Sequence, residues 1–117
     1  MAYASITKPS LHFNTKLYTG TGSSNAITGV GFQPDFTWIK KRSGAENHAL
    51  FDAVRGVTKY VKSDESASEV TEASSLSAFG TDGFTVVSSG KTNTNSATYA
   101  SWNWKANGAG SADTSGT

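Results

Sequence analysis

The segment FQPDFTWIKKRSGAENHALFDAVRG, Phe32 to Gly56, decides the class of fold. FTWIKK (Phe36 to Lys41) alternates Phe36, Trp38 and Lys40 against Thr37, Ile39 and Lys41. Both faces carry apolar residues until the lysines, as in a strand that leaves a core for solvent. RSGAEN (Arg42 to Asn47) is turn chemistry, and HALFDAVRG returns with Leu50 and Val54 on one face and Phe51 on the other. The segment therefore reads as a β-hairpin. Asp52 and Arg55, three apart, are placed to lock the turn before Gly56. Packing of Trp38, Leu50 and Phe51 contributes on the order of 2 kcal/mol each, so Trp38→Ala is expected to destabilise the fold.

The remainder of the chain has the same character. HFNTKLYTG (His12 to Gly20) runs into the turn GTGSSN, AITGVGF (Ala26 to Phe32) is short and β-branched, and KYVK (Lys59 to Lys62) is a brief strand. SAFGTDGFTVVSSG forms a second hairpin around Gly80-Thr81-Asp82-Gly83, with Phe84 and Val86 in its returning strand. TYASWNWK has the cleanest period of two: Ala100, Trp102 and Trp104 on one face, Tyr99, Ser101, Asn103 and Lys105 on the other. The helix signal lies in SDESASEVTEASSL, where Ser66 and Glu69 fit a capping box and Val70, Ala73 and Leu76 recur at threefold spacing; one or two helical turns or a long acidic loop both fit it. Roughly six to eight short strands with frequent turns predict an all-β protein, an antiparallel β-sandwich of jelly-roll or concanavalin-like type, with at most one short helix near Ser66–Leu76.

A chain of 117 residues suffices for one core. We expect residues 1–106 to form the sandwich and the Gly/Ser/Thr-rich residues 107–117 to form a linker or tail. The 12 glycines, many Ser and Thr and a single Met disfavour a helical bundle. A net charge of +1 gives no field that would draw in nucleic acid or an anionic membrane. No apolar run is long enough to cross a bilayer, and no secretory signal is visible at the start. The absence of cysteine removes thiolate chemistry and cysteine-bound zinc.

The chemistry-bearing residues favour structure over catalysis. His12 and His48 have no metal-ligand spacing, and Asp35, Glu46 and Asp52 read as turn acids rather than a glycosidase pair. GTGSSN lacks the lysine of a phosphate loop, and no GxSxG elbow is present. We therefore expect no catalytic residue, metal or cofactor. Lys40, Lys41, Arg42, Arg55, Lys59 and Lys62 hold six of the ten basic residues, with Asp64, Glu65, Glu69 and Glu72 close behind. This pattern predicts mutual compensation rather than a polyanion groove. Trp102 and Trp104 share a face; paired tryptophans can stack on sugars, but the same pattern is that of a core strand, since Trp carries a large apolar area, and the core reading is preferred. The predicted core is thus Phe36, Trp38, Leu50, Phe51, Phe84, Val86, Trp102 and Trp104, and the candidate contact surface is Lys40, Lys41, Arg42 and Tyr99.

The blocks MAYASITKPSLHFNTKLYTGTGSSNAI, GFQPDFTWIKKRSG, LFDAVRGVTKY, LSAFGTDGFTV and YASWNWKANG resemble, in this order and over roughly Met1 to Gly108, modules in structural proteins of marine tailed bacteriophages, especially cyanophage-like ones. The resemblance implies a non-enzymatic virion protein, made in the host cytoplasm. It would be a tail-fibre or appendage module that anchors to the particle and presents a distal host-recognition part. Other virion proteins are the implied partners, with homo-oligomerisation, by analogy as a trimer. Two alternatives are a capsid-surface decoration or head-fibre protein and a carbohydrate-binding module that contacts host glycans directly.

Overall fold

The computed structural model describes residues 8–106. After a 3-10 turn at Pro9–Leu11 come β1 (Phe13–Thr19), β2 (Asn25–Ile27), β3 (Phe36–Lys41), β4 (Ala49–Asp52) and β5 (Lys59–Val61). They are followed by β6 (Val70–Thr71), β7 (Leu76–Gly80), β8 (Gly83–Val86), the one-turn helix α1 (Gly90–Asn93) and β9 (Thr98–Trp104). The strands form a six-stranded sheet in the order β1-β9-β3-β4-β5-β6 and a three-stranded sheet in the order β2-β8-β7, with every pairing antiparallel. The protein is an antiparallel β-sandwich.

Both hairpins anticipated from turn chemistry are present. β3 pairs with β4 in the register Trp38↔Leu50, and β7 pairs with β8 around the two-residue turn Thr81-Asp82. Gly83 makes the second hairpin fit against β2. Its φ is +157°, and a Cβ there would lie 1.9 Å from the Ile27 carbonyl oxygen. Arg55 locks the end of β4 as expected. Its backbone N–H and Nε donate to the Asp52 carboxylate at 2.7 and 2.5 Å, and its guanidinium also reaches the Leu50 carbonyl and Glu69.

The core lies between the sheets. Ile27, Leu76, Phe84 and Val86 from the small sheet meet Ile39, Ala49, Phe51, Tyr60 and Tyr99 from the large one. Tyr18 lies parallel to Tyr99 at 5.1 Å and edge-on to Phe84 at 6.0 Å. Burial of the Tyr18 hydroxyl among these rings, with Tyr99 beside it, raises its pKa well above the ordinary value. The loop after β2 is pinned by Asp82, whose carboxylate accepts from the Gly29 and Gly31 amides at 2.9 and 2.6 Å. That loop buries Val30 and Phe32, and the Val30 carbonyl accepts from the Asn14 side chain. At the opposite end, buried Asn93 ties α1 to the turn after β1. Its side chain accepts from Thr21 N and Asn25 and donates to the carbonyls of Ser23 and Val87.

Of the two readings of Ser66–Leu76, the helical one is not taken up, and the one α-helix among the described residues is α1. Instead Lys59 and Tyr60 draw Thr71 and Val70 into the sheet, and β7 begins at Leu76. Glu69, the acid of the apparent capping box, faces Arg55 at 3.2 Å. A strand edge with a charged partner outweighs about two turns of marginal helix. The expected tail, residues 107–117, lies outside the described residues.

Candidate functional site: the solvent side of the large sheet

The orientation of β9 determines the site. Tyr99, Ser101 and Asn103 are fully buried, so alternation turns Trp102 and Trp104 outward. The inward polar side chains are saturated. Thr37 Oγ1 donates to Asn103 Oδ1 at 2.9 Å, Asn103 Nδ2 donates to Ser101 Oγ and the Asn14 carbonyl, and Ser101 Oγ donates to the Lys16 carbonyl. Buried polar groups cost little once every donor and acceptor is matched. Among the described residues, no buried side-chain nitrogen or oxygen lacks a partner.

Register then gathers the outward residues into rows. Trp102 stands between Thr15 of β1 and Trp38 of β3, and Leu50 follows Trp38 with Val61 beyond it. Trp104 stands between Phe13 and Phe36, with ring centroids 4.9 and 5.1 Å away. Trp38 and Trp102 meet edge to face at 6.2 Å. Phe13 and Trp104 are each 37% exposed and Leu17 54%, so the face carries rings in solvent that the fold does not consume. Trp38, Trp102, Trp104 and His48 line a hollow of about 190 Å³.

His48 is positioned by this hollow. Trp38 Nε1 donates to its Nδ1 at 2.8 Å. A neutral imidazole that accepts at Nδ1 carries its proton on Nε2, leaving that N–H as a donor. Beside the hollow lies an open polar depression of about 480 Å³, lined by Lys40, Ala45, Glu46, Asn47 and Asp64. The two adjoin in the chain: Lys40 is two residues beyond Trp38 on the same face of β3, and Asn47 directly precedes His48. The Asp64 carboxylate accepts from Asn47 Nδ2 at 3.2 Å and from His48 N at 3.3 Å. Its slight desolvation pushes its pKa up, but these donors outweigh it and hold the carboxyl below its ordinary value.

The structure redistributes the residues expected from sequence. Phe51, Phe84 and Val86 are core. Phe36, Trp38, Leu50 and Trp102 are only half-buried, on the outer face, and Trp104 is exposed. Tyr99, expected to make surface contacts, is fully buried; its hydroxyl accepts from Thr94 N and donates to the Gly90 carbonyl, both at 2.8 Å. Lys40, Lys41, Arg42 and Tyr99 therefore do not form one surface. Lys40 joins the polar depression, Lys41 is half-buried, and Arg42 is exposed where β3 ends.

Two members of the basic cluster pair with the acidic one, Arg55 with Glu69 at 3.2 Å and Lys62 with Glu65 at 2.6 Å. Asp35, Glu46 and Asp52 each serve a separate structural partner: Ala106 N, Lys91 and Arg55. Among the described residues, no group of three His, Cys, Asp or Glu could hold a metal ion. Phe13, His48, Asn47 and Asp64 were not singled out in the sequence as contact residues. Their one local signal is the placing of Asn47-His48 at the start of a strand that pairs with Trp38.

The family model described as "Domain of unknown function (DUF7483)" matches residues 8–117, and the chain belongs to that family. No curated protein and no solved structure matches it.

Proposed function

We propose that this DUF7483 domain is a non-enzymatic structural module of a bacteriophage virion, of tail-fibre or appendage type, and that it makes contact through the solvent side of its six-stranded sheet. The location rests on the resemblance of the sequence blocks to structural proteins of marine tailed bacteriophages. The mode of contact rests on one observation: Phe13, Phe36, Trp38, Trp102 and Trp104 share a face that no second sheet covers among the described residues. Contact surfaces are enriched in such aromatics, and a few of them dominate the binding energy. Homo-oligomerisation belongs to this reading, and capsid-surface decoration is the alternative location.

Two measurements test it. Labelling intact particles with an antibody to this chain should decorate the tail; decoration of the capsid selects the alternative, and absence from particles removes the virion assignment. Adhesion of the purified chain to host cells or virions should be lost in a Trp102→Ala/Trp104→Ala double variant that still folds. Adhesion equal to wild type would refute the role of this face.

A further inference from the structure

We infer that the Trp38–Trp102 hollow and the polar depression beside it form one saccharide-binding site. The inference rests on the reading of the aromatic face as the contact surface, and names the ligand class. A pyranose presents a flat array of C–H bonds on one side and a rim of hydroxyls at its edge. The protein presents the complement. Trp38 and Trp102, set edge to face, offer the apolar walls of a hollow in which one indole face can take the C–H side of the ring, and Lys40, Asn47, His48 and Asp64 supply donors and acceptors at its margin.

The polar set is held in place and still has capacity. Lys40 Nζ commits one bond, to the Lys41 carbonyl at 2.8 Å, and an ammonium has three N–H donors. Asn47 uses its Nδ2 on Asp64, and its amide oxygen is an acceptor. Asp64 takes two long bonds and has further lone pairs, which suit a vicinal pair of hydroxyls. His48 is fixed in orientation by Trp38 and offers its Nε2–H. Opposite charges at the margin, Lys40 against Asp64, favour a neutral sugar over an anionic one. A purely apolar partner would leave these groups desolvated without bonds, which weighs against such a partner at this end of the sheet. Stacking of a nucleobase would use the same rings, but the net charge of +1 and the carboxylate at the rim disfavour a phosphate chain.

The test uses the full chain on an array of hexose-, hexosamine- and deoxyhexose-terminated oligosaccharides, with host-cell adhesion and a single-stranded oligonucleotide measured in parallel. Binding to a neutral glycan is expected. It should weaken roughly tenfold or more in Trp102→Ala, the scale of losing one stacked ring, and also in Asn47→Ala and Lys40→Ala, which leave the rings intact. Ser77→Ala, on the other sheet, should bind like wild type. Glycan binding indifferent to Trp102 and Asn47 overturns the site. A silent array with adhesion that still depends on Trp102 overturns the saccharide while the contact face stands. A silent array with no Trp102-dependent adhesion removes both. Preference for the oligonucleotide overturns the ligand class.

Discussion

Tyr99→Phe isolates a single hydroxyl at the position where sequence and structure disagree most. The ring, stacked on Tyr18 at 5.1 Å with an interplanar angle of 11°, is retained. Two hydrogen bonds of 2.8 Å disappear, one from Thr94 N and one to the Gly90 carbonyl. Thr94 Oγ1 also donates to that carbonyl, at 3.0 Å, so the larger cost falls on the Thr94 N–H. Losing a buried partner in this way costs about 1–3 kcal/mol. In a domain of this size each kcal/mol lowers Tm by about 4–8 °C, which gives a fall of roughly 4–24 °C. Thermal unfolding of wild type and variant followed by circular dichroism at one pH measures it, and target adhesion below both transitions should be unchanged. A Tm within about 1 °C of wild type, on that same scale, would show that Tyr99 faces solvent and that the inside-outside assignment of β9 is inverted.

Gly83→Ala should cost roughly 2–4 kcal/mol through a positive φ and the approach to the Ile27 carbonyl, and a wild-type urea midpoint would refute that contact. Asp52 supplies an acid-sensitive increment of stability. Partial burial pushes its carboxyl up, but the Arg55 amide and guanidinium outweigh this and hold it below the ordinary 3.8. A depressed pKa gives stability that is present above the unfolded value and lost as pH falls through the folded one. The advantage of wild type over Asp52→Asn should therefore persist at pH 5–7 and vanish in acid, and a constant difference would contradict the pairing. Tyr60 has its pKa raised to about 12 by burial and by Glu72 and Glu46, and Tyr18 is raised as well. Stability should be complete below the ordinary tyrosine value of 10 and decline towards pH 12. Ultraviolet titration of the folded chain should show tyrosines that ionise well above the ordinary value; full ionisation near the ordinary value in the folded chain would refute it.

The architecture was legible wherever its cause was local. RSGAEN and Gly80-Thr81-Asp82-Gly83 specify their own turns, and Asp52 and Arg55 are close enough in sequence to find each other. The side of each strand that faces the core was not legible. A period of two states which residues alternate, but not which set is buried. In β9 the larger apolar set, Trp102 and Trp104, faces outward because Ser101 and Asn103 find complete sets of partners on β1 and β3. Those partners lie 66 to 89 residues away along the chain. The helical option at Ser66–Leu76 was not taken up for a related reason, since strand pairing with Lys59 and Tyr60 is a tertiary effect that overrides local propensity. The candidate site suffers from both limits. Its rings lie on β3 and β9, its polar rim comes from Lys40 near the end of β3, the β3–β4 turn and Asp64, and only the folded sheet brings them together.

Hydroxyl-radical footprinting of the tryptophans, in the free chain and in the chain bound to its target, tests the contact face most directly. Trp38, Trp102 and Trp104 should oxidise in the free chain and be protected on binding, with Trp102 protected most. Equal oxidation of all three in both states, with binding confirmed in the same sample, would place the contact elsewhere and contradict the account.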